Sequence, residues 1–337
     1  MNINTGYTTS KGYSSVLKIK MTKKAWAYVA LIAVLLIWGV APLLSNSQWV
    51  EGKYSPAMLM ACRGFVSAVA LGLMNIKKLK NINKEYWKVA LSSGVFLTAG
   101  YITQMVSYLY TTPAKTAFLE NVSVIIIPIL LYICVKEKPT WLKVAACVLC
   151  FIGSGIIALK GGAEDFWSIG IGEWIGILSG VFFGVNIAVT GVYSKKLDAS
   201  LYVFIQLSLL TVISLAYSLI VEGWIQGAMA ISFEWESVLS ILALGLLSTA
   251  LCWTLRTSCF KYVPVVVVAV VMPFAALLTS IFSIMIGMDE LTWNLVVGGI
   301  VILAAVLLAE LGDIAQEKKK ENLAESPLVE DNLENIQ

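Results

Sequence analysis

Ten apolar runs follow one another along the chain, and each is long enough to cross a bilayer as a helix. A helix needs about 20 apolar residues to cross about 30 Å of hydrocarbon. The runs predict ten transmembrane helices, at residues 25–46, 55–75, 86–110, 113–134, 141–160, 172–194, 200–221, 237–260, 263–287 and 291–312. Because 58% of the residues are hydrophobic and only 13% charged, a soluble core is excluded. We therefore predict an all-α membrane protein whose surroundings are a lipid bilayer.

Part of this pattern occurs twice. The stretch from Gly94 to Trp141 aligns, with a one-residue gap, with the stretch from Gly245 to Trp293. Each copy contains an apolar run, a proline-marked break, a second apolar run, an acid and a Thr-Trp pair. The aligned positions are Gly94 with Gly245, Thr98-Ala99 with Thr249-Ala250, Pro113 with Pro264, Glu137 with Asp289, and Thr140-Trp141 with Thr292-Trp293. The chain is therefore predicted to be internally duplicated.

The number of runs in each copy sets their relative orientation. Five spans take the chain from one side of the membrane to the other, so a second set of five runs in the opposite direction. We predict two inverted-topology repeats of five helices, at residues 25–160 and 161–312. A polar tail precedes them at residues 1–24, where Met21 is a plausible alternative start that would make residues 1–20 dispensable. A tail rich in Glu, Asn and Lys follows at residues 313–337 and is predicted to be disordered.

Lysines indicate the orientation in the membrane. With the N-terminus inside, most lysines fall in cytoplasmic segments, and the outside receives only Lys53, Lys160 and, near the interface, Lys115. Cytoplasmic loops carry an excess of basic residues in membrane proteins. This bias predicts that both termini are cytoplasmic, in a cell inner or plasma membrane.

The composition also excludes several kinds of chemistry. The chain has no histidine, which removes histidine metal sites, histidine proton relays and histidine-activated nucleophiles. Its six cysteines lie within or at the ends of apolar runs and are interpreted as packing residues. No phosphate-binding loop or dinucleotide fingerprint is present, so ATP hydrolysis is not expected. We predict no enzyme activity, no metal, no cofactor and no nucleic-acid partner.

Two charges lie deep in apolar runs and are the first candidates for function. Arg63 and Glu120 each lie about seven residues from the outer end of their runs, a depth of about 10 Å at 1.5 Å per residue. Since an unpaired charge there costs at least about 2.5 kcal/mol, we expect the two to pair, directly or through water. The pair is either structural or, if substrate or proton competes for Glu120, a gating or coupling site. Pairing of Glu120 with Lys115 is the alternative.

Other polar, aromatic and proline residues in the runs fall into three groups. Lys115 and Arg256 lie near run ends and are expected to extend toward the interface. Potential substrate-contacting residues are Trp38, Tyr101, Gln104, Asn121, Asn186 and Trp253. Prolines that can kink helices for gating are Pro42, Pro128 and Pro273. The sixth run also carries a stripe of small residues, Gly172, Gly176, Gly180, Gly184 and Ala188, which favours close helix packing within or between chains.

Several short motifs then carry a resemblance. Trp38-Gly39, Arg63, the run from Thr112 to Leu119 and the Lys-Glu-Lys-Pro from Lys136 to Pro139 accompany the two sets of five spans. With these motifs the chain resembles the EamA family of the drug/metabolite transporter superfamily. The resemblance implies a bacterial inner-membrane carrier with a central cavity between the repeats, lined mainly by spans one, three, four, six, eight and nine.

The sequence therefore predicts a secondary transporter that moves a small metabolite by alternating access, with export of an amino acid or related compound favoured. A coupling proton or a counter-substrate is a possible partner, and the oligomeric state stays open. One alternative is an efflux carrier for drugs or organic cations, for which Glu120 is the deep carboxylate. The other is a non-transporting membrane sensor or scaffold with the same fold.

Overall fold

The computed structural model describes residues 22–136, 138–159, 169–288 and 290–324, so the aligned acids Glu137 and Asp289 lie outside the described residues. Within these ranges ten helical spans are long and apolar enough to cross a membrane, as predicted. Six of them are single helices, here numbered by span: α1 (Lys23–Ser45), α2 (Pro56–Met74), α3 (Lys84–Ser107), α5 (Trp141–Ala158), α6 (Ile171–Tyr193) and α10 (Trp293–Ala324). Short 3-10 turns at Leu79–Asn81 and Ser194–Lys196 follow α2 and α6.

The other four spans are interrupted. Span 4 consists of α4a (Pro113–Glu120) and α4b (Val122–Val135), and span 9 of α9a (Val265–Val271) and α9b (Phe274–Met285). Span 7, α7 (Ala199–Tyr217), continues as a π-helix at Ser218–Ile225. Span 8, here α8, passes from an α-helix (Trp235–Ala243) through a π-helix (Leu244–Leu251) into a second α-helix (Cys252–Cys259). Such irregular helix geometry is common at functional sites.

The breaks in spans 4 and 9 occupy matching positions. When Pro113 is aligned with Pro264, Val122 at the first break falls on Pro273 at the second. Pro273 has no N–H for the helical ladder, which explains the break in span 9. In span 4, Asn121 ends α4a instead. The duplicated sequence therefore produces two discontinuous spans, one in each repeat.

Helix packing follows an approximate twofold relationship. α3 packs on α6, and the equivalent α8 packs on α1; α4b packs on α6, and the equivalent α9b packs on α1. The spans α2 and α7 pack together, as do α5 and α10. The twofold relationship exchanges the two members of each pair, so each of these contacts corresponds to itself. Spans of one repeat are therefore held mainly by spans of the other, with the interface between the repeats at the centre.

Because ten spans return the chain to its starting side, Lys23 and the end of α10 lie at one face, here called the terminal face; the other is the distal face. Side chains of the terminal half form the main apolar core. It combines Ala27, Ala30 and Leu31 of α1 with Val124, Ile127 and Leu131 of α4b, all of α9a, and Ala305 and Ala309 of α10. A second cluster joins the terminal ends of α2 and α3 to α7. The bundle is thus densely packed on the terminal side.

The glycine stripe of α6 packs within the chain. A Cβ atom on Gly180 would lie 2.8 Å from the carbonyl oxygen of Glu120 and 2.9 Å from its Cα. One on Gly184 would lie 3.3 Å from Ser123 Cα. The absence of side chains lets span 4 approach the α6 backbone, as small residues do in membrane helix pairs. This answers the question that the sequence left open for the stripe at these positions.

The C-terminal region differs from the prediction. α10 continues through Ala324, so residues 313–324, predicted to belong to a disordered tail, are helical. Asp313 is buried and its carboxylate lies 3.1 Å from Lys143 Nζ and 3.5 Å from Lys24 Nζ. These contacts anchor the helix beyond the apolar run, and the following Glu, Lys and Gln residues are good helix formers. Residues 325–337 lie outside the described residues.

Candidate functional site

Arg63 projects from α2 toward the π-helical segment of α8. Its guanidinium lies 3.3 Å from Ser248 Oγ and 3.3 to 3.4 Å from Thr249 Oγ1. These distances are long for an N–H···O hydrogen bond, and both acceptors are neutral hydroxyls. The side chain is half-buried. Arg63 is therefore positioned by the opposite repeat but only weakly satisfied by it.

Glu120 is the last residue of α4a and is also half-buried. Gln104 Nε2 of α3 donates to Glu120 Oε2 at 2.9 Å. The hydroxyl of Ser179 on α6 lies 3.2 Å from Glu120 Oε1 and 3.0 Å from the Gly100 carbonyl oxygen, and its one proton serves either acceptor. The carboxylate is thus held by neutral donors from both repeats.

The direct ion pair predicted between Arg63 and Glu120 is not formed. The hydrogen bonds of the two side chains go to separate sets of neutral partners, Ser248 and Thr249 for Arg63 and Gln104 and Ser179 for Glu120. Equal depth in the bilayer did not bring them into contact because α2 faces α8 and α7, whereas α4 faces α6. Tyr101 lies within electrostatic range of both charges.

Lys115, the other partner considered for Glu120, is buried and does not extend its ammonium group into solvent. Its Nζ lies 2.8 Å from Glu173 Oε1 at the start of α6, and both side chains are buried. Glu173 also accepts from Thr111 Oγ1 and from the Gly170 N–H, at 2.7 Å each. The expected snorkelling of Lys115 is wrong because a carboxylate lies beside it within the bundle.

Arg256 also departs from its expected position. It is only 4% exposed, and its guanidinium carbon lies 4.0 Å from the centre of the Trp253 ring and 5.9 Å from that of Trp38. Its Nη2 donates to Asn186 Oδ1 at 3.5 Å, and its Nε has no hydrogen-bond partner among the described residues. Arg256 is therefore a central cation of the bundle and not an interfacial one.

The predicted aromatic and amide residues gather around this cation. The rings of Trp38 and Tyr101 lie 5.9 Å and 6.3 Å from that of Trp253. Trp38 Nε1 donates to the Ser248 carbonyl at 2.8 Å, which joins α1 to the π-helix of α8. Asn186 is fully buried and donates to the Ser93 carbonyl at 2.9 Å, so its amide serves packing between α6 and α3. Asn121 is half-buried at the break of span 4.

The three prolines have different surroundings. Pro42 lies inside α1 and Pro128 inside α4b, and both helices continue past them. Pro273 stands between α9a and α9b and interrupts span 9. Of the three predicted kink positions, Pro273 is therefore the one at which a helix ends.

An apolar plug separates the polar cluster from the terminal face. Along span 4, Glu120 and Asn121 come first, then buried Val124 and Ile127, then Pro128 and Leu131, which line a cavity of about 490 Å³ on the terminal side. α9a runs in the opposite direction: Val265 and Val266 at its start line the cavity, and residues 267–271 lie in the apolar core. Val124, Ile127, Ile187 and residues 267–271 therefore lie between the site and the cavity, and they are here called the plug.

Four contributors to the site were missed from the sequence: Ser179, Ser248, Thr249 and the central position of Arg256. A helical spacing signal existed for part of this set. Thr249, Trp253 and Arg256 are separated by four and three residues, which places them on one helix face. Asn186 and Ser179 are seven apart on α6 and share a face in the same way. Neither pattern identifies which helix that face meets.

Known proteins resemble this chain in sequence and in fold. Residues 25–159 and 170–311 match the model of the EamA-like transporter family. An uncharacterized transporter of Archaeoglobus fulgidus is 24% identical over 293 residues, covering 86% of this chain and 87% of that protein. A solved protein crystal structure superposes with a TM-score of 0.70 over 86% of this chain and 98% of its own, at 14% identity, a likeness of fold alone.

Proposed function

Since the chain belongs to the EamA-like transporter family and is a multi-pass membrane protein, we propose that it moves a small metabolite by alternating access between its two repeats. An amino acid or a related compound is the proposed cargo, with export across the inner membrane as the direction. Both termini lie in the cytoplasm, so the terminal face is the cytoplasmic one. The polar cluster is the solute site, and the protein acts without enzyme chemistry or a cofactor.

The observation that carries this proposal is the position of the polar cluster. Half-buried Gln104 and Glu120 are hydrogen-bonded beside the break of span 4, where Ser179 of the opposite repeat also contacts the carboxylate. Half-buried Arg63 faces the opposite repeat at Ser248 and Thr249. Discontinuous helices at a repeat interface are typical of substrate sites in secondary transporters. The apolar plug beneath them closes the terminal side. Movement of α9a and α4b away from α6 would open it and connect the site to the terminal cavity.

The alternative of an organic-cation carrier has less support. Such a carrier needs its carboxylate to dominate the electrostatics of the site. Here Glu120 shares its surroundings with two guanidiniums, through the common neighbour Tyr101. The metabolite profile described next also tests the alternative of a non-transporting sensor or scaffold.

The test is the extracellular metabolite profile of cells that express the wild type, Glu120→Gln, Glu51→Gln or an empty vector, at matched membrane levels. Glu51 is an exposed carboxylate of the α1–α2 loop and serves as the control. We expect one compound class to be enriched outside with the wild type and Glu51→Gln and not with Glu120→Gln. Identical profiles for all four would contradict export and favour uptake or a scaffold.

A further inference from the structure

Among the described residues, neither arginine of the site has the carboxylate partner that a buried cation normally has. The ion pairs seen among the described residues join lysines to acids, and neither Arg63 nor Arg256 takes part in one. A guanidinium carries five N–H donors. Arg63 uses two nitrogens on hydroxyls at 3.3 Å or more, and Arg256 uses one on an amide at 3.5 Å.

Arg256 is the more buried of the two arginines, so little water can reach its unused N–H donors. It is 4% exposed, its Nε has no partner among the described residues, and its guanidinium is stacked on Trp253. A buried cation in a membrane protein is costly unless it is paired or faces a hydrated cavity. A stacked, weakly bonded guanidinium therefore indicates a site that a negative group completes.

A short series of contacts connects the two arginines. Arg63 Nη2 lies 3.3 Å from Ser248 Oγ, and the carbonyl of the same serine accepts from Trp38 Nε1 at 2.8 Å. The Arg256 guanidinium carbon lies 5.9 Å from the centre of the Trp38 ring. Tyr101 lies beside Trp253, with 6.3 Å between the ring centres, and the Arg256 guanidinium lies over the same Trp253 ring. With two guanidiniums and the carboxyl group of Glu120, the described site residues carry more positive than negative charge at the interface between the repeats.

We propose that this site recognises its solute by a carboxylate group, held by the half-buried Arg63 fork with Arg256 as the second cation. The inference rests on the proposed transport function and names the substrate class for the same site. A carboxylate brings one negative charge to the two guanidiniums, whereas a phosphate monoester carries about −1.5 to −2 at neutral pH and would add more repulsion with Glu120. The planar guanidinium fork also matches a carboxylate in geometry.

This proposal makes the carboxylate, and not the amine, of an amino acid the recognised group. The test uses purified protein and four matched mixtures: common α-amino acids, their carboxamides, their decarboxylated amines and their 2-hydroxy acid analogues. Binding is measured as the concentration that gives half of the maximal thermal stabilisation. We expect amino acids and 2-hydroxy acids to stabilise the protein, and amides and amines to leave it unchanged.

Substitutions of Arg63 test whether this side chain binds the carboxylate. Arg63→Gln is expected to weaken binding of the carboxylate compounds by about ten- to a hundredfold, since a hydrogen bond to a charged group is lost. Arg63→Lys should recover part of it. Lys88→Gln removes an exposed cation of α3 and should bind as the wild type does. If Arg63→Gln folds poorly, Arg63→Lys with the four mixtures still separates carboxylate from amine recognition.

Glycerol 3-phosphate is measured in the same way as a phosphate compound for comparison. Stabilisation by the amines equal to that by the amino acids would overturn the proposal, as would tighter binding of glycerol 3-phosphate than of any carboxylate. No stabilisation by any mixture would also overturn it. Transport itself is judged separately by the metabolite profile. Export of an uncharged or cationic compound that requires Glu120 would leave the proposed function standing and remove the carboxylate class.

Discussion

The Nζ atom of Lys115 lies 2.8 Å from Oε1 of Glu173, and this buried ion pair ties the distal end of span 4 to that of α6. Thr111 donates to the same carboxylate, so the loop before α4a is held as well. The two repeats are thereby joined at the distal face, above the polar cluster and on the opposite side from the apolar plug.

Removing one member of this pair should destabilise the protein. We expect Lys115→Met to lower the free energy of unfolding by about 1.5–3 kcal/mol, because Glu173 loses its charged partner and keeps only the donors Thr111 and Gly170. The double variant Lys115→Met/Glu173→Gln should recover much of the loss. Unfolding in mixed detergent micelles measures both. A single variant as stable as the wild type would show that the pair contributes nothing to stability.

Gly180 controls how closely α6 approaches Glu120. A methyl group there would meet the Glu120 backbone at 2.8 Å, which a side-chain rotation cannot relieve. We expect Gly180→Ala to cost about 1–3 kcal/mol, as overpacking does. At the control position Gly176 the added methyl meets the Ser107 hydroxyl at 3.2 Å and the Leu119 side chain at 3.3 Å. Thermal unfolding should rank Gly176→Ala above Gly180→Ala, and the reverse order would contradict the packing described.

Asp198, in the loop between α6 and α7, should make the stability of the fold depend on pH. Partial burial alone would raise its pKa, but hydrogen bonds from Lys78 and Ser200 outweigh it and lower the pKa to about 2. The unfolded value is about 3.9. A depressed pKa stabilises the fold above the unfolded value, and the contribution is lost as the pH falls from about 4 to about 2.

The difference in melting temperature between the wild type and Asp198→Asn should therefore be constant from about pH 7 to pH 5 and shrink toward pH 2. The control is Glu51→Gln, which removes an exposed carboxylate of the α1–α2 loop. A difference for Asp198→Asn that grows on acidification would have the wrong sign.

Pro273 offers a test of the break in span 9. Pro273→Ala supplies the missing N–H and favours a continuous helix. We expect stability to be equal or higher and transport to be slower, because α9a would no longer move independently of α9b. The control is Pro42→Ala in the continuous α1. Initial transport rates in proteoliposomes, with half-saturating concentrations measured alongside, check this. Unchanged transport rates for Pro273→Ala would show that gating does not require the break in span 9.

Much of the fold was predictable because it depends on local properties. Each span was found within a few residues, since an apolar run of that length has one favourable location, the hydrocarbon. The continuation of α10 is an exception, and it depends on contacts between spans as well as on hydropathy. α10 continues to Ala324 because Asp313 pairs with Lys143 and Lys24, which come from other spans.

The candidate site was only partly predictable. Trp38, Tyr101 and Trp253 do meet, and Gln104 contacts Glu120. Their binding roles stay predictions. The direct ion pair between Arg63 and Glu120 is not formed, because depth along a helix says nothing about the direction in which a side chain points around it.

The sequence by itself determined the membrane class, the ten spans, the duplication and the scarcity of deep charges, since each follows from composition and spacing along one dimension. Only the tertiary structure decided the partners. It paired Lys115 with Glu173, placed Arg256 on Trp253 and left Arg63 on the hydroxyls of Ser248 and Thr249. The physical reason is that an ion pair or a ring stack depends on helix rotation and on contacts between residues distant in sequence. Those are set when the two repeats pack against each other.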